Sequence, residues 1–322
     1  ANDSLGNVNS TVNVTFSVDA GSQTIYFTGQ TPAHASSQSG TSIPVNVSSS
    51  LLIASAPQSH FVAVDFDTSL LSWWTMDTVN ESGAAVDYKG VRNASPLGGV
   101  AQNSTLNSGF YGKSFYFDGF DDALNVHANL DTALGTVRNF TISAWINHAQ
   151  TPVNVGGDDI LVSAENGGIA MYIHPNDKLA LSLVGISNSQ SASTIPIGSW
   201  QHIAITYTKP NVTFYLNGDV IGSNEYDVDF NTVGTYYIGG LPEVGGFFNG
   251  SIDELLFYNR SLGAGEIKSL FNATATQYYY NYTNLTQGDH IFTAYAVDTL
   301  GNRNQTEQRT VTLSSDAFPP LV

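Results

Sequence analysis

The sequence predicts an all-β protein in which one β-sandwich is inserted into another. Alternating apolar and polar stretches recur along the 322 residues, separated by segments rich in Gly, Ser, Asn and Thr. One strand pattern starts abruptly at about Leu70 and stops at about Asn272. The flanks outside it each hold too few strands to close a sandwich, and together they hold enough. Insertion at an exposed loop costs little when the ends of the insert lie close together. The expected division is a strand segment over 1–20 resembling the end of a preceding unit, an outer sandwich over 21–67 and 274–315, an inserted sandwich over 68–273, and a linker over 316–322. The alternative is two small separate β domains on either side of the insert.

Taken in order, Thr24–Thr28, Ser42–Val47 and His60–Phe66 alternate between polar turns, and so do Gly288–Asp298 and Thr306–Leu313 beyond the insert. Thr31-Pro32-Ala33-His34-Ala35-Ser36 followed by SIPVNVSSS resembles the first strands of Ig-like repeats in bacterial and archaeal surface proteins. The stretch from Tyr278 resembles the last strands of the same repeat.

Inside the insert, the closing stretch GFFNGSIDELLFYNRSL, Gly246–Leu262, sets Ile252, Leu255 and Phe257 among polar neighbours, as in a half-buried strand. Asp253 lies within it, where a carboxylate is costly unless paired. Glu266, Ile267, Leu270 and Phe271 then have helical spacing, which predicts a short helix over Leu262–Phe271. A strand with Asp and Tyr-Asn-Arg-Ser-Leu before a short helix resembles the last strand of laminin-G-like (concanavalin A-like) jelly rolls. Further pieces appear upstream in order. LSWWTMD (Leu71–Asp77) resembles the opening strand, and Asp87–Gly90 with Val91–Asn93 the loop after it. FYFDGFDDAL (Phe115–Leu124) resembles the F-D-G-x-D-D strand and turn. FTISAWIN (Phe140–Asn147) and SWQHIAITYT (Ser199–Thr208) resemble the two tryptophan strands, and VTFYLNGDV (Val212–Val220) the hairpin. The resemblance implies a jelly roll over about Leu70 to Asn272.

Composition narrows the partners. Charged residues make up 11%, against roughly 25% in ordinary soluble domains, so the surface is largely Ser, Thr, Asn, Gln and Gly. The net charge of −17, from 10 Lys and Arg against 27 Asp and Glu, argues against nucleic acid and suits a divalent cation. There are no cysteines, and no run approaches the ~20 apolar residues of a membrane span. Asn-x-Ser/Thr occurs at Asn2, Asn9, Asn13, Asn46, Asn80, Asn93, Asn103, Asn139, Asn211, Asn249, Asn259, Asn272, Asn281, Asn284 and Asn304. Chance at this composition gives roughly six, so the excess points to N-linked glycans on an exported, processed, extracellular chain at the cell surface. The bland account is that Asn, Ser and Thr gather in β-turns anyway.

Asp3, Leu5, Gly6, Asn7, Asn9 and Thr11 match Asp298, Leu300, Gly301, Asn302, Asn304 and Thr306, and Asp19-Ala20 matches Asp316-Ala317. This internal repeat predicts that residues 11–18 form a strand additional to the outer sandwich. Such a strand is expected to pair with an identical neighbouring unit by strand addition.

Asp253 is the first metal candidate; the jelly-roll resemblance implies a structural calcium there, with carbonyls near Met76-Asp77. Asp77 and Asp118 are further candidates. The competing reading is a carboxylate that caps backbone N–H groups, and the pairs Asp121-Asp122 and Asp158-Asp159 read as solvated loops. Trp145 and Trp200 lie on apolar strands and read as core. Adjacent Trp73 and Trp74 on one strand predict one outward ring, the tryptophan candidate for stacking on a sugar. Tyr278-Tyr279-Tyr280 reads as packing between the domains. No acidic pairing of the glycosidase kind, nucleophile elbow, metalloprotease helix or phosphate loop is present, and His127, His148, His174 and His202 lack ligand spacing, so no catalytic residue is nominated. Two functions fit: a structural surface protein forming a glycosylated filament, stalk or layer, and an adhesin whose jelly roll binds glycans with calcium.

Overall fold

The structure, a computed structural model, describes residues 24–50, 60–90, 92–103, 108–127, 139–151, 157–165, 168–183, 187–228, 234–273, 277–298 and 303–315. The expected strand over 11–18, the linker over 316–322 and the sequons Asn2, Asn9 and Asn13 lie outside the described residues.

The alternation seen in the sequence becomes two β-sandwiches. In the flanks, Ile43–Ser50 pairs antiparallel with Thr24–Phe27 on one side and with Gln277–Tyr282 on the other. Gly288–Asp298 pairs antiparallel with His60–Phe66 and with Arg309–Ser314, and Ser36–Ser39 runs parallel to Arg309–Ser314. Strands from before and after the insert are thus neighbours in both flanking sheets. Neither flank closes alone because each lacks the hydrogen-bonding partners that the other carries.

The insert is a sandwich of a nine-stranded and a seven-stranded sheet. The nine-stranded sheet runs, from one edge, Asp219–Glu225, Asn211–Leu216, Trp200–Thr208, Asn139–His148, Asn249–Tyr258, Leu70–Val79 and Ala85–Asp87, with Ser114–Asp118 and Ala101–Asn103 off this path. The first and last strands pair, Leu255 with Trp74 and Leu256 with Trp73, which brings the ends of the insert together. The seven-stranded sheet runs Ser187–Thr194, Lys178–Leu183, Ile169–Ile173, Asp159–Ala164, Tyr236–Ile238, Ala123–Asn125 and Ser95–Leu97. Trp74, Ile252, Leu255 and Phe257 face the core between these sheets.

The outer face of the nine-stranded sheet is not exposed. Trp73, Trp145, Tyr215, Leu256 and Tyr258 form a second core with Phe61, Val62 and Ala296 of the flanking sandwich and with Ile267 and Leu270 of the helix Ala264–Asn272. Arg260 joins that helix to the strand before it through paired bonds to Glu266 (2.6 and 2.8 Å). Both tryptophans of the opening strand are therefore buried, Trp73 at 0% and Trp74 at 1% exposure. This corrects the expectation of an outward ring: alternation does send them to opposite faces, but a second domain covers the second face. Trp145 is buried, as read, while Trp200 is only partly covered. Tyr278 is buried in the second core and Tyr280 packs on Gly265 of the helix, whereas Tyr279 faces out.

Candidate functional site

Two neighbouring residues of the closing strand define a buried acidic centre. That strand pairs with Ser114–Asp118 over Asn249–Ile252 and with the opening strand over Leu255–Tyr258. Asp253 and Glu254 fall where one partner leaves and the other begins. The register against Asn139–His148 also shifts there, which marks a bulge. Glu254 has φ +48° and Met76 of the opening strand φ +60°, conformations that a side chain rarely adopts. The bulge turns Asp253 and Glu254 toward Asp77, and all three carboxylates are buried at 0%, 0% and 4% exposure.

Their partners are few. Asp253 Oδ2 accepts from Tyr111 N (2.9 Å) and Oδ1 from Glu254 N (2.9 Å). Asp77 Oδ1 accepts from Lys113 N (2.8 Å), and Glu254 Oε2 accepts from Trp73 Nε1. Asp77 Oδ2, Glu254 Oε1 and the Tyr111 hydroxyl have no partner. Burial, partly offset by Lys113, pushes the Asp77 carboxyl up to about 7. Burial and repulsion from their acidic neighbours hold Asp253 and Glu254 well above the usual carboxylate range. Buried Asp87 makes the contrast: it accepts from the backbone N–H groups of Trp73, Lys89 and Arg92, as a capping carboxylate does.

Among the described residues only Asp118, Asp121 and Asp122 bring three ligand atoms within 4.8 Å of one another, so Asp77, Asp253 and Glu254 do not meet on one cation; Asp77 and Asp253 are a pair that backbone carbonyls would have to complete. Gly109 borders the centre. A Cβ there would stand 2.2 Å from Lys113 O and 2.7 Å from Asp253 Oδ2, so the 109 backbone closes on the centre and only glycine permits it. The metal candidates Asp77 and Asp253 lie near enough for the charge of Asp77 to help raise the Asp253 carboxyl. Glu254 was missed, although the three-residue step from Ile252 to Leu255, both core-facing, signals the bulge that turns it inward.

Asp118 is not part of this centre. It joins Asp121 and Asp122, with one oxygen from each within 4.8 Å of the others, a cluster that can hold a metal ion. Asp121 is exposed, as read, while Asp122 departs from the solvated reading: it is buried and accepts from Asp118 N at 3.0 Å. Asp159 is likewise not solvated but fully buried, bonded to His148 Nε2 at 3.0 Å. His202 is buried and neutral, its imidazole pushed down to about 3 by burial.

The outer face of the seven-stranded sheet belongs to neither of these two cores and is itself largely buried. Across the seven-stranded sheet, Asn125, Tyr237, Ser163, Ala170, Ser182 and Asn188 are successive cross-strand partners and so share a face. Beside them Ile160, Tyr172, Ala180 and Gln190 form a second row. Ile160, Tyr172 and Ala180 cluster separately from the core between the sheets, against Leu241. Tyr172, Tyr237, Ser163 and Ala180 are buried and Asn188 is exposed; Tyr237 donates to Glu165 Oε1 (2.6 Å). Sequence reasoning did not single out this face, because its residues come from six strands.

Among the sequons, Asn80, Asn93, Asn103, Asn211, Asn272, Asn281 and Asn284 are exposed, and Asn46, Asn139, Asn249, Asn259 and Asn304 are partly covered. No helix among the described residues is long and apolar enough to cross a membrane.

Comparison with known proteins agrees with this architecture. Residues 117–268 match the Laminin_G_3 family, described as the Concanavalin A-like lectin/glucanases superfamily. No curated protein sequence matches the chain. Similar solved structures include domain 4 of AbnA, a GH43 extracellular arabinanase from Geobacillus stearothermophilus, in complex with arabinotriose. It is 19% identical with a TM-score of 0.49, over 63% of this chain and 98% of that one. Trypanosoma rangeli sialidase in complex with the inhibitor DANA is 18% identical with a TM-score of 0.47, over 63% of this chain and 32% of that one. A botulinum neurotoxin type C structure is 18% identical with a TM-score of 0.48, over 64% of this chain and 51% of that one. Residues 117–268 thus belong to a laminin G/concanavalin A-like lectin domain.

Proposed function

We propose that this protein is a non-enzymatic, extracellular glycan-binding module, displayed on an Ig-like sandwich at a cell surface. The observation that carries this is the match of residues 117–268 to a lectin-type family. The nine-stranded sheet is covered by the flanking sandwich and the helix, and the seven-stranded sheet turns Asn188 and Gln190 at its edge toward solvent, where amides can meet the hydroxyls of a sugar. Asp253 and Asp77, with backbone carbonyls near Met76-Asp77, would hold a structural calcium, whose charge would let these buried carboxylates stay ionised. Asp118, Asp121 and Asp122 are a second, exposed cation candidate. Glycan arrays with and without calcium test the function, followed by Asn188→Ala with Gln190→Ala. Both residues are on the surface and outside either core. The expected result is binding that falls about tenfold or more in the double variant. Silence of the array at millimolar ligand, or undiminished binding by the variant, refutes the assignment.

The internal repeat favours a second, compatible reading. Residues 3–20 carry the pattern of the segment that contains the flanking strand Arg309–Ser314. Such units, joined by strand addition, would build a glycosylated filament, stalk or layer that displays the lectin domain. Denaturing electrophoresis of boiled native material distinguishes separate subunits, at the mass of this chain, from one far larger repeating chain. A monomer in solution whose residues 11–18 fold into their own sandwich removes the reading.

A further inference from the structure

Four aromatic side chains are exposed among the described residues: Tyr26, Tyr116, Phe120 and Tyr279. Two of them stand on one sheet face. Tyr26 lies on Thr24–Phe27 and Tyr279 on Gln277–Tyr282, the strands on either side of Ile43–Ser50 in the small sheet of the flanking sandwich. The inner face of this sheet carries Ile25, Val45, Val47 and Tyr278 into the second core. The outer face carries Tyr26, Asn46, Ser48, Tyr279 and Asn281, because alternate residues of a strand share a face. No Asp, Glu, Lys or Arg occurs in any of the three strands. An uncharged β face with two bare rings is an association hazard that proteins ordinarily cover or charge.

Two sequons open onto this face. Asn281-Tyr282-Thr283 sets Asn281 two residues beyond Tyr279 on the same strand, about 7 Å along it. Asn281 is exposed, and its cross-strand partner is Pro44, which adds a second apolar ring beside it. Asn46, directly opposite Tyr279, heads the other sequon. It is partly covered, and its amide nitrogen lies over the turn at Gly29, 3.4 Å from where a Cβ there would stand. The space above Tyr279 is thereby left to what Asn281 carries.

We propose that Asn281 carries an N-linked glycan whose first sugar lies on the ring of Tyr279 and covers the outer face of this sheet. The proposal rests on the reading of the chain as an extracellular glycoprotein. The donor is an oligosaccharide on a lipid phosphate, delivered by a membrane transferase. Asn281 Nδ2 bonds to C1 of the first sugar, the bond from C1 to the carrier oxygen breaks, the lipid phosphate leaves with the electron pair, and the amide gives up one proton. The C–H face of the sugar then packs on the apolar face of the tyrosine ring, while the sugar hydroxyls and the phenol stay in water. Ser269 Oγ donates to Tyr279 O (2.9 Å), which ties the backbone beneath the ring to the helix Ala264–Asn272. The sugar meets a platform held from below, and the face gains a hydrated cover without a charge.

Glycopeptide mass spectrometry of native material reads occupancy, and Asn281 is expected to be modified. The contact is read on the full chain secreted from a glycosylating eukaryotic host and trimmed by endoglycosidase to one N-acetylglucosamine per site. Thr283→Ala removes the signal, keeps Asn281 itself, and leaves the sequon at Asn284 intact. It is expected to lower the melting temperature by about 2 °C or more. In a Tyr279→Ala background the same change is expected to cost nothing, and in Tyr279→Phe the full shift returns. Tyr279→Thr, which suits a strand better, replaces Tyr279→Ala if that variant is not secreted. Asn281 unmodified while Asn80, Asn103 and Asn284 carry sugar overturns the proposal and leaves the glycoprotein reading standing; unmodified Asn at every exposed sequon overturns both. An occupied Asn281 whose loss costs as much without the ring of Tyr279 as with it overturns the contact.

Discussion

The stability of this protein should depend on pH in a direction set by Asp77. Without a cation its carboxyl is pushed from 3.8 up to about 7, by burial first of all. Between those values the folded chain binds a proton that the unfolded chain has released, so stability falls as pH rises through this window and is lowest above it. A shift of three pH units at 1.4 kcal/mol each amounts to about 4 kcal/mol, all of it regained by acidification below pH 4. Asp253 and Glu254 are shifted in the same direction by burial and by their neighbours, and add to the sign. Bound calcium keeps the carboxylates ionised and removes the penalty. At a hundredfold excess over its dissociation constant it adds about 2.7 kcal/mol. The assay is a melting series from pH 5 to pH 8 in calcium and in chelator. The two curves should nearly coincide at pH 5 and diverge by about 5 °C or more at pH 8, with chelator below calcium. Asp77→Asn should make the chelator series less steep, leaving the part due to Asp253 and Glu254. A chelator effect equally large at pH 5, or a metal-free melting temperature that rises with pH, would show that the three acids are not held as described.

Trp73→Phe keeps the ring but removes the bond to Glu254, leaving both carboxylate oxygens without a partner; a loss of about 1–3 kcal/mol is expected by denaturant titration, and an unchanged midpoint would deny that bond. Gly109→Ala should lower calcium affinity at least tenfold by titration, because its Cβ would stand 2.2 Å from Lys113 O and 2.7 Å from Asp253 Oδ2. Glycopeptide mass spectrometry of native material should find Asn80, Asn103 and Asn284 most occupied, as all three are exposed. Asn249 should be the least, since its side chain packs against Gly119; unmodified Asn at all the exposed sites would end the extracellular glycoprotein reading.

Much of the fold was legible in the chain because period-two alternation is local. Leu71–Asp77, Phe140–Asn147 and Ser199–Thr208 lie within the strands Leu70–Val79, Asn139–His148 and Trp200–Thr208 to within a residue or so. The helical spacing of Glu266, Ile267 and Leu270 marks the helix Ala264–Asn272. The closing strand reads as half-buried, with Ile252, Leu255 and Phe257 inward; these do face the core, but the strand is buried on both faces because Leu256 and Tyr258 pack into the second core. Alternation alone could say that Trp73 and Trp74 point to opposite faces. It could not say that a second sandwich lies on one of those faces, since that depends on Phe61 and on strands brought in from both ends of the chain. The same holds for the acids. Asp118, Asp121 and Asp122 meet through one turn, while Asp77 meets Asp253 and Glu254 only because the first and last strands of the insert pair. Sequence by itself determined which residues alternate and where the chain turns, for these depend on neighbours along the backbone. Tertiary structure decided which faces are covered and which charges share a pocket, because burial and electrostatic repulsion act through space between residues that the sequence keeps far apart.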